Sequence, residues 1–222
     1  MPEQRFDPHD LAQMAPRYRA RFINSLSGYK SANLVGTVDG DGRTNLSIVS
    51  SVFHLGAAPP LMGFIVRPHT VERHTLENLL ETGYFTLNAV THPHYEAAHQ
   101  TSARYDRDQS EFDACGLEPL FVPGFVAPFV AQSPLRIGLR LVAHQPIALN
   151  QTELVIGEVV QVMVDDAAVQ EDGYIDLEGL GVVAVSGLDS YHQTARLSRL
   201  SYAKPEHPPH RLMLSGQPEE DA

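Results

Sequence analysis

A chain of 222 residues, 43% hydrophobic and 19% charged, holds enough apolar side chains for one sizeable core and is unlike a disordered or fibrous sequence. Its 16 Lys and Arg stand against 27 Asp and Glu, and the net charge of −11 disfavours nucleic acid or an anionic membrane as the main partner. Cys115 is the only cysteine, which excludes an internal disulfide and a thiolate-built zinc or iron–sulfur centre. No run approaches a membrane span and the amino terminus has no apolar signal core, so a reducing cytoplasm is the expected setting.

In chain order, a polar arm leads into a predicted helix at about 18–26. Residues 33–38 and 44–52, joined by Asp39-Gly40-Asp41-Gly42, read as a β-hairpin with a glycine-containing loop. After the breaker Ala57-Ala58-Pro59-Pro60, a third strand covers 61–66, and a helix from about 73 to 81 stops at Gly83. A fourth strand follows at 84–90. The stretch 92–134 is irregular, with helical patches near 95–99 and 109–115 and proline-interrupted segments at 119–128, and reads as an excursion covering a site. Alternation returns at 135–141, with 155–164 as its hairpin partner, a surface loop at 165–181, a late strand at 182–185 and a closing edge at 202–205. Six or more strands on mostly short turns favour a mainly β, antiparallel barrel with a few flanking helices, because closure removes exposed edges.

The segment Arg67-Pro68-His69-Thr70-Val71-Glu72-Arg73-His74-Thr75 crowds two arginines, two histidines and two threonines ahead of the periodic Leu76, Leu79 and Leu80. A helix starting there would offer free N–H groups and a positive dipole end, and an anion beside Arg73 and Thr75 would be stabilised from several directions. The alternative is that Thr70 or Thr75 is only an N-cap and the arginines only solvated charges or partners of Glu72 and Glu77. No phosphate-binding P-loop, C-x-x-C, H-E-x-x-H or G-x-S-x-G motif occurs, and Gly40-Asp41-Gly42 lies between strands without the helix a dinucleotide fingerprint needs. His92, His94 and His99 have a spacing that could converge on a metal, but surface histidines in a proline-broken loop are the default, and no metal is expected.

Four motifs then carry a resemblance: R-P-H-T-V-E-R-H-T-L-E-N at 67–78, Q-T-S-A-R-Y at 100–105, S-E-F-D at 110–113, and S-G-L-D-S-Y-H at 186–192. From Tyr29 to Pro205 the sequence resembles the flavin reductase-like family, whose fold is an FMN-binding split β-barrel of Greek-key type. The resemblance implies one domain over 29–205, an N-terminal arm and helix over 1–28, and a tail over 206–222. It implies that Asn45, Ser47, Ile48, Val49, Ser50 and Ser51 run along the isoalloxazine edge, with Ser50 at the family's serine and Ile48 where relatives often have proline. Arg73 and Thr75 would meet the phosphate, with Arg67 and His74 also among the cofactor contacts, His74 standing where many relatives have aspartate and its role left open. Ser102 and Arg104 match a loop that closes on the flavin. The implied activity is hydride transfer from NADH or NADPH to flavin N5, with FMN as cofactor and FAD as an alternative, in a homodimer with the flavin near the interface and a monooxygenase as one candidate partner. The chemistry requires no dedicated protein acid or base, and His54 and Tyr191 are candidates only for shaping the open face. The competing reading is a flavin-binding redox sensor, carrier or electron-transfer module with little nicotinamide activity.

Overall fold

Two proline-opened helices, α1 (Pro8–Gln13) and α2 (Pro16–Leu26), precede the first strand in the computed structural model, which describes residues 3–68 and 72–219. The strands that follow are β1 (Tyr29–Ser31), β2 (Asn33–Val38), β3 (Thr44–Val49), β4 (Phe53–Ala57) and β5 (Pro60–Val66). Helix α3 (His74–Thr82), strand β6 (Tyr84–Ala89), and helices α4 (Tyr95–Gln100) and α5 (Glu111–Cys115) come next. The remaining strands are β7 (Pro119–Val122), β8 (Phe125–Val130), β9 (Leu135–Ile147), β10 (Thr152–Val164), β11 (Val183–Ser186), β12 (Ser190–Gln193), β13 (Arg199–Leu200) and β14 (Arg211–Leu212).

Seven strands form one antiparallel sheet in the order β3-β2-β6-β9-β10-β5-β4, and β1, β11 and β12 form a smaller one. Period-two alternation sends neighbouring residues to opposite faces. Val35, Phe64, Phe85, Leu87, Leu139 and Val155 fill one side, closed by Leu76 and Leu79 of α3. Leu34, Leu46 and Val90 face the other, beneath Ala98 of α4, Phe112 of α5, Val130 of β8 and Val183 of β11. Close packing dictates two glycines: a Cβ on Gly157 would come within 2.6 Å of the Phe85 ring, and one on Gly36 within 2.3 Å of the Pro128 carbonyl oxygen. Helix α3 ends where Gly83, at φ 75°, supplies the left-handed cap.

The mainly β, antiparallel split-barrel architecture is present, with these differences from the sequence reading. The sheet keeps two edges, because β3 and β4 are not laddered to one another among the described residues. The run 44–52 is broken: β3 ends at Val49, and Phe53–Ala57 folds back on β5. Ser51 fixes the break, its Oγ accepting from Ile65 N at 3.0 Å and donating to Ile65 O at 3.1 Å. The hairpin of β7 and β8 lies inside the segment read as irregular, since Pro119 and Pro128 mask a pairing that places Phe125 and Phe129 on the sheet. No closing edge forms at 202–205. Arg199–Leu200 instead pairs with Arg211–Leu212, so part of the expected tail folds back. Among the described residues no helix is long and apolar enough to cross a membrane.

Candidate functional site

The edge strand β3 and the start of α3 meet over one polar network. Glu111, at the first position of α5 and buried, accepts from Asn45 Nδ2 at 2.8 and 2.7 Å and from Leu46 N at 2.9 Å. A carboxylate only accepts, so the Asn45 amide turns its nitrogen to Glu111 and its oxygen to Thr75. The Thr75 hydroxyl donates to Asn45 Oδ1 at 2.7 Å. Its single hydrogen is then spent, and the 2.8 Å bond between Ser47 and Thr75 has Ser47 as donor. Burial pushes the Glu111 carboxyl above its ordinary range, against the opposing pull of Leu46 N–H, its own backbone, Asn45 and nearby His74.

The same accounting along β3 shows which groups remain free for a ligand. Leu46 N–H is taken by Glu111, and Ile48 N–H by Thr101 Oγ1 at 3.0 Å. Thr101, buried at the end of α4, also donates to Ala98 O. The Ile48 side chain packs under α4 and Val49 packs into the barrel core. Ser50 follows Ile48 by two residues, so its N–H is next in the row, and its half-buried hydroxyl has no hydrogen bond among the described residues. Of the residues between 45 and 51 implied as ligand contacts, Asn45, Ser47, Ile48 and Ser51 are thus committed to the protein through their side chain or amide, whereas Ser50 is open.

Arg67, Arg73 and Arg104 converge at the start of α3. Arg73 is half-buried, and its guanidinium is held below its ordinary range by burial and by the neighbouring charges of Arg67 and Arg104. Its Nε makes one bond, a 3.4 Å contact with Pro68 O, and its backbone N–H donates to Glu77 Oε1 at 3.1 Å. Among the described residues, none of the three arginines is ion-paired to a carboxylate. Helix α3 has no side-chain cap bond at Arg73, so its first amides face this basic mouth. Three like charges beside an uncapped helix start are chemically suited to a multiply charged anion. Ser102 and Arg104 lie exposed just after α4. His69, Thr70 and Val71 of the basic segment, and with them the Thr70 cap, lie outside the described residues.

His74 turns inward. Its ring lines a small polar chamber with Asp39, Asn78, Arg107 and Glu111, and contacts Glu72 Oε2 at 3.4 Å. Asn78 Oδ1, buried in that chamber, has no partner among the described residues. Hydrogen bonds from the Arg43 side chain and from the Arg43 and Asp41 backbone hold Asp39 below its ordinary range, although burial, the largest single influence, works the other way. The three histidines considered for metal are apart in role: His99 Nδ1 bonds Tyr191 OH at 2.9 Å, while His92 abuts Gly181. Glu111 and Thr101 are the residues a motif reading does not single out. Both stand inside quoted motifs, but nothing in those motifs shows that they saturate β3.

Comparison with known proteins accords with the fold. The family model described as the flavin reductase like domain matches residues 26–179. A solved structure from Shewanella frigidimarina NCIMB 400, a split barrel domain protein classed with the flavin reductases, is 57% identical, with a TM-score of 0.88 over 90% of this chain and 100% of its own. Nitrilotriacetate monooxygenase component B from Bacillus cereus shares the fold at 21% identity and a TM-score of 0.79, covering 90% of this chain and 100% of its own. An uncharacterised protein of Halalkalibacterium halodurans is 30% identical over 167 residues, 71% of this chain and 79% of its own. These matches place the chain in the flavin reductase-like family.

Proposed function

We propose that this protein is an FMN-binding oxidoreductase acting as an NAD(P)H-dependent flavin reductase, cytoplasmic and homodimeric with the flavin near the interface. FAD is the alternative flavin. The observation that carries the reading is the convergence of Arg67, Arg73 and Arg104, unpaired with carboxylates among the described residues, at the start of α3. A flavin phosphate is the matching ligand, and guanidinium groups suit it because they can bind its oxygens bidentately.

When bound, the flavin supplies an acceptor at N5 for hydride from NADH or NADPH. This chain's own part is binding and orientation. Arg73, partly desolvated, holds the phosphate more strongly than a fully exposed arginine would. The first amides of α3 add donors, while the Thr75 side chain, its hydrogen spent on Asn45, adds none. Ser50 offers an N–H and a hydroxyl to the polar edge of the ring. Thr101 and Glu111 hold β3 in place behind it, and Ser102 and Arg104 close the mouth. A monooxygenase is one candidate consumer of the reduced flavin, as the name of the Bacillus cereus component suggests by analogy of fold.

Anaerobic absorption titration of the FMN-loaded protein with NADH and then NADPH tests the reading. Rapid loss of the oxidised-flavin band is expected with one or both donors. A flavin that stays bound and oxidised would replace the reductase with a carrier or sensor, and failure to bind flavin would overturn the assignment.

A further inference from the structure

The loop from Thr101 to Ser110 brings Arg104 to the basic mouth, where its charge acts on Arg73 together with that of Arg67. Like charges repel, so the loop needs a restraint that the mouth itself does not supply. Its two ends are tied to β3: Thr101 Oγ1 accepts from Ile48 N at 3.0 Å, and the Ser110 hydroxyl bonds Thr44 Oγ1 at 2.7 Å. Between these ends the Arg104 side chain makes no hydrogen bond among the described residues, and Arg107 reaches across to α3. Arg107 Nη2 donates to Glu77 Oε2, and Nη1 lies 3.5 Å from Asp39 Oδ2 at the β2–β3 turn. Among the described residues, the hydrogen bonding between this loop and α3 runs through that side chain alone. The other Glu77 oxygen, Oε1, accepts from Arg73 N at 3.1 Å. One carboxylate thus joins the backbone of one mouth arginine to the loop that carries another.

We propose that Glu77 and Arg107 are positioning residues for the flavin phosphate: their ion pair clasps the loop to α3 and holds Arg104 over the mouth. The inference rests on the flavin reading and deepens it, because both residues act through Arg104. With side chains 36% and 30% exposed, Arg107 and Glu77 are partly shielded from water, and the pair holds more firmly than a fully solvated one. The planar guanidinium spans two carboxylates from different elements, which fixes the loop in direction as well as distance. The clasp has a consequence of sign. Glu77 is an anion beside an anion site, and by charge alone its removal should tighten FMN. Acting through Arg107 and Arg104, its removal frees the loop and weakens FMN instead.

Flavin fluorescence titrations of the full chain with FMN and with riboflavin, at one fixed ionic strength, test this. Glu77→Gln keeps an acceptor for Arg73 N–H and is expected to lower FMN affinity about tenfold, with riboflavin nearly unchanged. Arg107→Met should do the same. In protein already carrying Arg104→Ala, neither substitution should lower FMN affinity further, because the residue they position is gone. Thermal unfolding followed by circular dichroism identifies a variant that fails to fold, and the other then carries the test. The clasp is overturned, with the flavin reading intact, if the wild type binds FMN and Glu77→Gln tightens it or leaves it unchanged. A loss that is equal for riboflavin, or that persists in full without Arg104, overturns it in the same way. A wild type that binds no FMN overturns the flavin reading and the inference with it.

Discussion

The basic mouth and the polar network beneath it are built from neighbouring residues on opposite principles. In the network every strong donor and acceptor of Asn45, Glu111, Thr75 and Ser47 meets a counterpart, so its polarity is set by the chain itself. In the mouth, Arg67, Arg73 and Arg104 push against one another. Satisfied groups contribute stability, whereas mutually repelling ones cost it until an anion arrives. The difference separates residues that shape the fold from residues that await a ligand, although both sets sit within one stretch of β3 and α3.

The sharpest way to break the network is Glu111→Leu. It leaves Leu46 N–H and the Asn45 amide buried without acceptors, and a loss on the order of 3 kcal/mol in unfolding free energy is expected from urea denaturation. The mouth should respond oppositely. Arg73→Ala removes one of three like charges, so stability should hold or rise slightly. FMN affinity should fall by roughly ten- to a hundredfold, since a charge-assisted hydrogen bond contributes about 1.5 to 3 kcal/mol. Riboflavin, which lacks the phosphate, should bind nearly as before. Equal losses for both flavins, or a large drop in stability, would make Arg73 part of the network instead.

The fold was legible where a single period dominates and obscure where pairing is non-local. Helix α3 with its Gly83 stop, the hairpin of β2 and β3 and the strand β6 all follow from alternation and turn chemistry. The hairpin of β7 and β8 hides behind its prolines, and the break at Ser51 hides because 44–52 holds no glycine or proline to mark it. At the site, the arginines announced themselves by crowding on an acidic chain. That Thr75 cannot donate to an anion was not legible, because it depends on a carboxylate 36 positions later at Glu111 fixing the direction of every hydrogen between. The inward turn of His74 has the same cause: its neighbours in the chamber come from the β2–β3 turn and the loop before α5.

The smallest effect expected is in the pH dependence of stability, and it separates two carboxyl groups of the one chamber. Asp39 is held below its ordinary value of 3.8, so the native state binds fewer protons than the unfolded chain near that pH. Its contribution is present above pH 3.8 and is lost as pH falls through the folded value. Glu111 is raised above its ordinary value of 4.5, so the native state keeps a proton that the unfolded chain releases. Stability should then decline as pH rises from 4.5 towards the folded value and level off beyond it. Urea titrations across this range should show Glu111→Gln losing the upper slope while keeping the lower, and Asp39→Asn the reverse. If Glu111→Gln left the upper slope intact, the three donors would be outweighing burial, and the network would hold a permanently charged carboxylate behind β3.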